Sequence, residues 1–376
     1  MARSKTVYRC TSCDHQEPKW LGRCPQCGEW NTLVEETRAP AGRASQGSGG
    51  GGAAGGRDRD RRARVESVAT ASTDEAPRIE TGIGELDRVL GGGVVSGSSV
   101  LLGGEPGIGK STLMLQTAAA LASRRVLYVS GEESARQIRL RAERLGATAD
   151  IDLLCDGDTA SITRALDERS PELIVIDSVQ SLHSAEAGPY PGTVNQIKYS
   201  TYEILDWVRA HDAAVFFVAH VTKEGSIAGP KVIEHMVDSV LYFEHAEEHL
   251  RILRASKNRF GSTDEIGLFA MEGQGLREVT DPASVFLVQR EGSLPAGVVV
   301  APVYEGSRIL LVEIQALTVP AKGGVSRTFS DRIDSRRISR VAAVLEKHVG
   351  VSFSDQDIYV NVAGGIRIGE VGVELP

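Results

Sequence analysis

Short runs of apolar residues alternate with amphipathic segments over residues 77–282. The apolar runs are "SVLLGG", "RVLYVSG", "IDLLC", "ELIVIDS", "AAVFFVAHV", "SVLYFE" and "LRILRA". The segments between them, such as "STLMLQTAAALAS" and "VNQIKYSTYEILDWVRA", have apolar residues at helical spacing. This alternation is typical of a mostly parallel sheet with helices on both faces. We therefore predict an α/β domain, in which the last two runs pair as an antiparallel extension of the sheet.

A second pattern, of the α+β kind, follows over residues 283–376. We predict strands around "SVFLVQ", "GVVVAPVYEG", "ILLVEIQAL" and "DIYVNVAGG", with a helix at about 334–348. Residues 1–36 form a compact unit that bears cysteines. Residues 37–76 are rich in Gly, Ala and Arg and hold few large apolar side chains. Such a segment buries too little surface to offset its ordering entropy, so we predict a flexible linker.

Composition and charge narrow the function classes. The chain has 376 residues, 41% of them apolar, and a formal net charge of −8 from 42 basic and 50 acidic residues. Its overall charge therefore does not predict nucleic-acid binding, which would need local basic patches or a ring of several copies. No apolar run approaches the ~20 residues of a membrane span. We expect a cytoplasmic location, because the start "MARSKTVYRC" does not have the pattern of a secretion signal.

The segment "GGEPGIGKST" has the spacing of a phosphate-binding loop between a strand and a helix. Its glycines allow backbone N–H groups to surround phosphates at the start of a helix. We expect Lys110 to reach the β- and γ-phosphates of ATP, and the Ser111 hydroxyl to ligate Mg²⁺. The predicted ATP and Mg²⁺ site comprises Gly104, Glu105, Pro106, Gly107, Ile108, Gly109, Lys110, Ser111 and Thr112.

Other polar residues stand at strand ends, where the sheet edge would hold the nucleotide. Asp177 ends "ELIVIDS" and is our candidate second carboxylate for Mg²⁺. Glu132 follows "RVLYVS" and is our candidate for orienting the attacking water, although Glu133 could exchange roles with it. His220 ends "VFFVAH", and the sequence leaves open whether it senses the γ-phosphate or is a hydrogen-bonded structural residue.

Two C-x-x-C pairs lie near the N-terminus, Cys10 with Cys13 and Cys24 with Cys27. Each pair can hold one side of a tetrahedral Zn²⁺, and four thiolates leave no open position for catalysis. A redox dithiol is the alternative, but two close pairs outside a βαβ pattern favour zinc. We expect Cys155, in a predicted strand, to belong to the core.

These motifs together resemble those of one family. The cysteine pairs with "KWLGRCPQCGEWN", the loop "GGEPGIGKST", and the segments "YVSGEES", "LIVIDSVQ" and "KNRFG" are similar to those of the bacterial RadA (Sms) family of DNA repair proteins. The resemblance covers essentially the whole chain, and "KNRFG" is a signature of that family. It implies a RecA-like ATPase core in a hexameric ring that acts on branched recombination intermediates. It also implies an ATPase that is stimulated by single-stranded DNA and drives branch migration in RecA-mediated strand exchange.

The resemblance extends to the C-terminal residues. It implies a Lon-protease-like domain over 283–376, which we expect to be shortened because the tail "GEVGVELP" is similar to a later piece of that domain. No serine has the context of a Lon nucleophile, so we expect no proteolysis. The alternative to a DNA-driven motor is a nucleotide-gated regulatory or scaffold ATPase that does not translocate.

The resemblance also gives roles to several cations. In RecA-like cores, the loops after the metal-binding strand and after the following strand face DNA, so Lys198, Lys223 and Lys231 are candidate phosphate contacts. If "SKNRF" were a strand, Lys257 and Arg259 would point to the same face. We expect them to contact the nucleotide of a neighbouring subunit, or else DNA. Phe260 would then pack to fix their angle. The full motif is Lys257, Asn258, Arg259, Phe260 and Gly261.

Overall fold

A computed structural model describes residues 6–10, 16–17, 19, 22–27, 33–37, 76–188, 190, 192–220, 228–246, 249–288, 290–322 and 325–369. The chain divides into two compact units, Met1–Ser72 and Thr73–Pro376. Among the described residues, no helix is both long and apolar enough to cross a membrane. The first unit contains an antiparallel sheet of order β2-β1-β3. Its strands are β1 (Thr6–Cys10), β2 (Gln16–Glu17) and β3 (Leu33–Thr37).

The second unit is built on a nine-stranded sheet of order β14-β13-β12-β11-β6-β10-β9-β7-β8. A short β4–β5 pair precedes it, and the strands are β4 (Arg78–Ile79), β5 (Val94–Val95), β6 (Ser99–Gly104), β7 (Val126–Ser130), β8 (Asp152–Leu154), β9 (Leu173–Asp177), β10 (Ala214–His220), β11 (Ser239–His245), β12 (Leu250–Asn258), β13 (Ile266–Glu272) and β14 (Gly275–Glu278). Strands β8, β7, β9, β10, β6 and β11 are mutually parallel. The predicted mostly parallel sheet is therefore confirmed.

The antiparallel part of the sheet differs from the prediction. Strands β11 and β12 pair antiparallel as expected, but β11 itself is parallel to β6. The antiparallel extension consists of β12, β13 and β14, and the last two strands were not predicted. The long connection between β10 and β11 explains the first difference, because a crossover of that length can return the chain for parallel pairing.

Helices cover both faces of this sheet: α1 (Gly84–Leu90), α2 (Lys110–Ala120), α3 (Ala135–Arg144), α4 (Thr159–Arg169), α5 (Val194–His211) and α6 (Ala228–Glu234). Alternate residues of β6 point to opposite faces. Val100 and Leu102 pack in the core cluster with α1, α2 and α3. Leu101 packs in the other cluster, with α4, α5 and α6. This alternation follows from the two-residue period of a strand, and it explains why "SVLLGG" is buried throughout.

The C-terminal residues form a four-stranded sheet of order β15-β16-β18-β17. Its strands are β15 (Val298–Glu305), β16 (Arg308–Pro320), β17 (Thr328–Phe329) and β18 (Gln356–Val362), and it carries α8 (Ser335–Val349). The strand predicted at "SVFLVQ" is wrong, because helix α7 (Ala283–Phe286) occupies that position. Pro282 is the N-cap of this short helix, and Asp281 before it accepts a hydrogen bond from the Ala283 N–H at 3.1 Å.

The C-terminal sheet shares a hydrophobic core with the end of the main sheet. Leu253 belongs to the main core, whereas Ile252 and Leu268 pack with Val303 and Leu310 of the C-terminal sheet. The domain boundary at 282/283 therefore stays a prediction, since one core cluster has members on both sides of it. Cys155 is exposed just beyond β8, so its predicted core position is wrong.

Candidate functional site

The predicted phosphate loop joins the end of β6 to the start of α2. The Lys110 ammonium donates hydrogen bonds to the carbonyls of Gly104, at 2.8 Å, and Glu105, at 2.9 Å. Its side chain is only 3% exposed. This burial lowers the pKa of Lys110 to about 8, although the nearby charges of Asp177 and Glu132 act in the opposite direction. The loop therefore holds a buried cation at the carboxyl edge of the parallel sheet.

Gly109, which immediately precedes helix α2, shows why the loop needs glycine. Its φ of +115° lies in the left-handed region, and a Cβ there would lie 2.7 Å from the Met271 Cε atom of β13. A side chain at this position would therefore strain the backbone and displace a residue packed beside the loop.

Asp177 ends β9 and is 9% exposed. The Tyr128 hydroxyl of the adjacent strand β7 donates a hydrogen bond to its Oδ2 at 2.6 Å. Burial and the Asp177 charge raise the pKa of Tyr128, so this phenol stays a hydrogen-bond donor. Sequence reasoning missed Tyr128. The sequence signal was the two-residue alternation of this strand, which puts Tyr128 on the same side as Ser130. The structure adds that Ser130 pairs with Asp177.

The two adjacent glutamates after β7 have different surroundings. Glu132 accepts a hydrogen bond from the Ser178 hydroxyl at 2.5 Å, directly beyond Asp177. Its charge raises the pKa of both Lys110 and His220, so it lies within their electrostatic reach. Glu133 instead forms an ion pair with Arg141 of helix α3. The structure thus brings Glu132, and not Glu133, together with Lys110 and Asp177.

Two polar atoms near this cluster are buried and have no hydrogen-bond partner among the described residues. They are His220 Nδ1, at the end of β10, and Gln180 Oε1. Gln180 Nε2 donates to the His220 carbonyl at 3.2 Å, which ties the two segments together. Burial and the Lys110 charge lower the pKa of His220, which favours a neutral imidazole. Buried polar atoms of this kind normally find partners. His220 Nδ1 can donate to a phosphate oxygen when it carries the ring proton, whereas Gln180 Oε1 accepts only and needs a donor such as water.

The "KNRFG" motif lies near the amino ends of the parallel strands, whereas the phosphate loop lies at their carboxyl ends. Asn258 pairs with Ser239, and Ser239 pairs with Val100 near the start of β6. Four residue steps separate Val100 from Gly104, which is roughly 13 Å at about 3.3 Å per residue. The motif therefore does not reach the phosphate loop of its own chain.

The motif residues themselves are held differently from the prediction. Strand β12 ends at Asn258, so Arg259 and Phe260 follow the strand. The Lys257 ammonium is half-buried and donates to the carbonyls of Glu234, at 2.9 Å, and Val237, at 2.5 Å. The Arg259 side chain is 60% exposed and lies 3.4 Å from Asp238. Phe260 is 38% exposed, and its packing role stays a prediction.

Two of the candidate DNA-contacting lysines lie on helices of the described part of the chain. Lys198, on α5, and Lys231, on α6, are both exposed. Lys223 lies outside the described residues. These positions do not test the predicted contacts of the three lysines with DNA phosphates, which stay predictions.

The N-terminal unit contains the candidate metal centre. Cys10 ends β1, while Cys24 and Cys27 lie in a turn over residues 24–27, Cys24 being 1% exposed and Cys27 exposed. Cys13 lies outside the described residues. Thiolate sulfur is the donor that structural zinc sites favour, so the residue types fit Zn²⁺.

Comparisons with known proteins agree with these two sites. Residues 8–35, which contain the four cysteines, match the family model of a rubredoxin metal binding domain. Residues 64–226, which contain the phosphate loop, Glu132 and Asp177, match that of an AAA domain. The α/β fold class with an N-terminal zinc ribbon is confirmed, as are a zinc-binding and an ATP-binding region.

Curated relatives are similar over nearly the whole chain. The chain is 52% identical to the DNA repair protein RadA of Treponema pallidum (strain Nichols), over 99% of this chain and 80% of that protein. It is 46% identical to the DNA repair protein RadA of Bacillus subtilis (strain 168), over 100% of this chain and 81% of that protein. Among solved structures, the RadB recombinase matches with a TM-score of 0.43 and 22% identity, over 53% of this chain and 98% of that chain.

Proposed function

Since this chain belongs to the RadA family of DNA repair proteins, we propose that it is a DNA-dependent ATPase that processes branched recombination intermediates. In this proposal it promotes branch migration during RecA-mediated strand exchange, as a cytoplasmic hexameric ring. The observation that carries the proposal is the convergence of Lys110, Asp177 and Glu132 at one edge of the sheet. A cation, a metal-binding carboxylate and a water-orienting carboxylate are the groups that phosphoryl transfer requires.

Each residue of this cluster has a distinct role in the proposed hydrolysis. Lys110 neutralises charge on the β- and γ-phosphates, for which it leaves the two carbonyls that it contacts in the free protein. Ser111 and Asp177 would hold Mg²⁺, which would offset the negative charge of the phosphates. Tyr128 fixes the Asp177 carboxylate, and Ser178 fixes Glu132. Glu132 then orients the attacking water and accepts its proton.

The "KNRFG" motif fits a role between subunits of the ring. The motif lies at the ends of the strands that are opposite the phosphate loop. It can therefore contact ATP only if that ATP is bound to a neighbouring subunit. Arg259 is exposed enough to make that contact, whereas Lys257 is bound to carbonyls of its own chain. Direct contact of Arg259 with DNA is the alternative to this trans role.

The N-terminal unit is proposed to hold one Zn²⁺ through Cys10, Cys13, Cys24 and Cys27. Four thiolates form a closed site, so the metal would stabilise this small unit and take no part in hydrolysis. We expect no proteolytic activity from the C-terminal sheet, which a casein degradation assay can check.

Steady-state ATP hydrolysis with and without single-stranded DNA tests the proposal. We expect turnover that DNA stimulates, and we expect Lys110→Ala to abolish turnover in both conditions. Hydrolysis that DNA leaves unchanged would instead favour a nucleotide-gated regulatory or scaffold ATPase. Negative-stain images of the protein with ADP and single-stranded DNA test the ring separately.

A further inference from the structure

The segment between Asp177 and helix α5 presents an aromatic ring to solvent. Tyr190 is 74% exposed, more than any other large apolar or aromatic side chain among the described residues. It lies shortly before α5, and its carbonyl accepts a hydrogen bond from the Thr193 hydroxyl at 3.4 Å. A single exposed ring needs no special explanation, so its surroundings decide whether it has a role.

Side chains of helix α5 bind residues 184–188, which precede Tyr190 in the chain. Gln196, which is 1% exposed, accepts a hydrogen bond from the Ser184 N–H at 2.6 Å and donates one to the Gly188 carbonyl. The Tyr199 hydroxyl donates to the Glu186 carboxylate at 2.5 Å. These bonds hold residues 184–188 in place without a ligand, which lowers the entropy cost of a binding event beside them.

The exposed face of α5 continues from this segment. Val194, Lys198 and Tyr202 follow one another at intervals of four residues, so they lie in one row on the helix surface. Lys198 is exposed, and Tyr202 is 57% exposed. Asp206 comes one turn later and is also exposed. Its charge repels phosphates and so limits the surface at that end.

We propose that Tyr190, Lys198 and Tyr202 form a base-stacking surface for single-stranded DNA, which we call the tyrosine surface. This inference rests on the proposed function, for which it names the nucleotide contacts. The two rings stack on unpaired bases and Lys198 contacts a phosphate, the combination that sequence-tolerant single-strand binding uses. The segment that carries Tyr190 follows Asp177 in the chain, so it connects the proposed DNA contacts to one of the residues proposed to hold Mg²⁺.

An abasic oligonucleotide separates base stacking from phosphate contact. We would measure binding of the full chain to oligo(dT) and to an abasic strand of equal length by fluorescence anisotropy. For the variant with Tyr190→Ala and Tyr202→Ala, we expect about tenfold or greater loss of affinity for oligo(dT), in line with stacking energies per base. Affinity for the abasic strand should stay the same. The variant with both tyrosines changed to Phe should bind both strands normally.

Two further variants serve as controls. Tyr304→Ala removes a tyrosine that is 58% exposed on β15, and we expect it to change neither affinity. Lys198→Ala should lower affinity for both strands and reduce the slope of log K against log salt by about 0.7, the value for one phosphate contact on a single strand. The tyrosine variants should leave that slope unchanged.

The outcomes are distinguishable from failure of the proposed function. If the unaltered protein binds neither strand, both the proposed function and the tyrosine surface are wrong. If it binds oligo(dT) but the double Ala variant loses nothing, only the tyrosine surface is wrong. An equal loss on oligo(dT) and on the abasic strand also overturns it, because the lost contact would then not be to a base.

Discussion

Lys110 combines near-complete burial with a charge that phosphate binding requires. Removal from water lowers its pKa to about 8, while Asp177 and Glu132 keep it from falling further. The carbonyls of Gly104 and Glu105 accept hydrogen bonds from the charged form. In the free protein, the Lys110 side chain therefore changes from charged to neutral within the pH range of ordinary buffers.

We expect ATP affinity to fall as the pH rises above about 8, because only protonated Lys110 attracts the phosphates. Below the pKa the group is fully charged and affinity is constant. Above it, each pH unit lowers affinity by up to about tenfold, as the protonated fraction falls. Titration with a fluorescent ATP analogue across this range measures the effect. Lys110→Arg is the control, since arginine stays charged. The same fall in that variant would assign the titration to another group.

A second prediction about single residues is that Glu132, and not Glu133, acts in hydrolysis. We expect Glu132→Gln to lower kcat by about 10²- to 10⁴-fold with nucleotide binding retained, because it removes the group that accepts a proton. Glu133→Gln should change kcat little, since Glu133 pairs with Arg141. Single-turnover hydrolysis compares the two variants at matched occupancy. An equal loss in both would show that the glutamates act together.

At the scale of elements, Lys257 connects strand β12 to the end of helix α6. Its ammonium binds the carbonyls of Glu234 and Val237, where the helix leaves acceptors without intrahelical partners. The Tyr242 hydroxyl of β11 holds the Glu234 side chain at 2.6 Å. The start of the "KNRFG" motif is thus part of the packing of α6, whereas Arg259 lies outside it.

Mixed assemblies separate the two cations. We expect Arg259→Ala subunits and Lys110→Ala subunits to be inactive alone but to regain part of their ATPase activity when mixed, because a Lys110→Ala subunit would supply Arg259 to a neighbour's intact phosphate loop. Lys257→Ala should instead lower the unfolding temperature, since it removes a cation from two carbonyls. Absence of any rescue in the Arg259→Ala mixture would favour the DNA-contact role.

The sequence allowed prediction of those elements whose cause is local. The apolar run before Asp177 and the spacing from Gly104 to Ser111 are such patterns, and the structure places strand β9 and the phosphate loop there. The strand predicted at "SVFLVQ" was wrong, because the pattern of a short apolar run does not separate a strand from a helix. The Ser178 bond to Glu132 and the cap from Lys257 join residues far apart in the chain, so no local pattern indicates them.

At the scale of the whole molecule, the N-terminal unit offers a test that is independent of the ATPase. We expect Cys24→Ser to reduce bound zinc, measured by mass spectrometry of the desalted protein, because three thiolates hold the ion less tightly than four. Cys155→Ser is the matched control, since Cys155 is exposed and lies outside residues 8–35. Unchanged zinc content in Cys24→Ser would reject the four-thiolate site.

The C-terminal sheet is attached to the main sheet through a buried ion pair. The Arg308 guanidinium donates two hydrogen bonds to Glu85 of helix α1, at 2.9 and 2.7 Å. Glu85 is 5% exposed and also accepts a bond from the Leu268 N–H at 2.8 Å. Because Leu268 belongs to the core cluster that both sheets share, this pair and that core hold the same junction.

We expect Arg308→Met to lower the free energy of unfolding by up to about 3–5 kcal/mol, because it removes two hydrogen bonds from the buried Glu85 carboxylate and leaves it the more distant Arg88 guanidinium, at 3.9 Å, as its cation. Adding Glu85→Gln should recover much of this loss, since glutamine carries no charge and still accepts the bond from Leu268. Urea denaturation of both variants measures the difference. Arg124→Met is the control, because Arg124 and Glu172 form a partly exposed pair at 2.9 Å whose loss should cost less than about 1 kcal/mol. If Arg308→Met lowers the free energy of unfolding by no more than Arg124→Met does, the ion pair does not hold the two sheets together. The shared hydrophobic core would then hold them together alone.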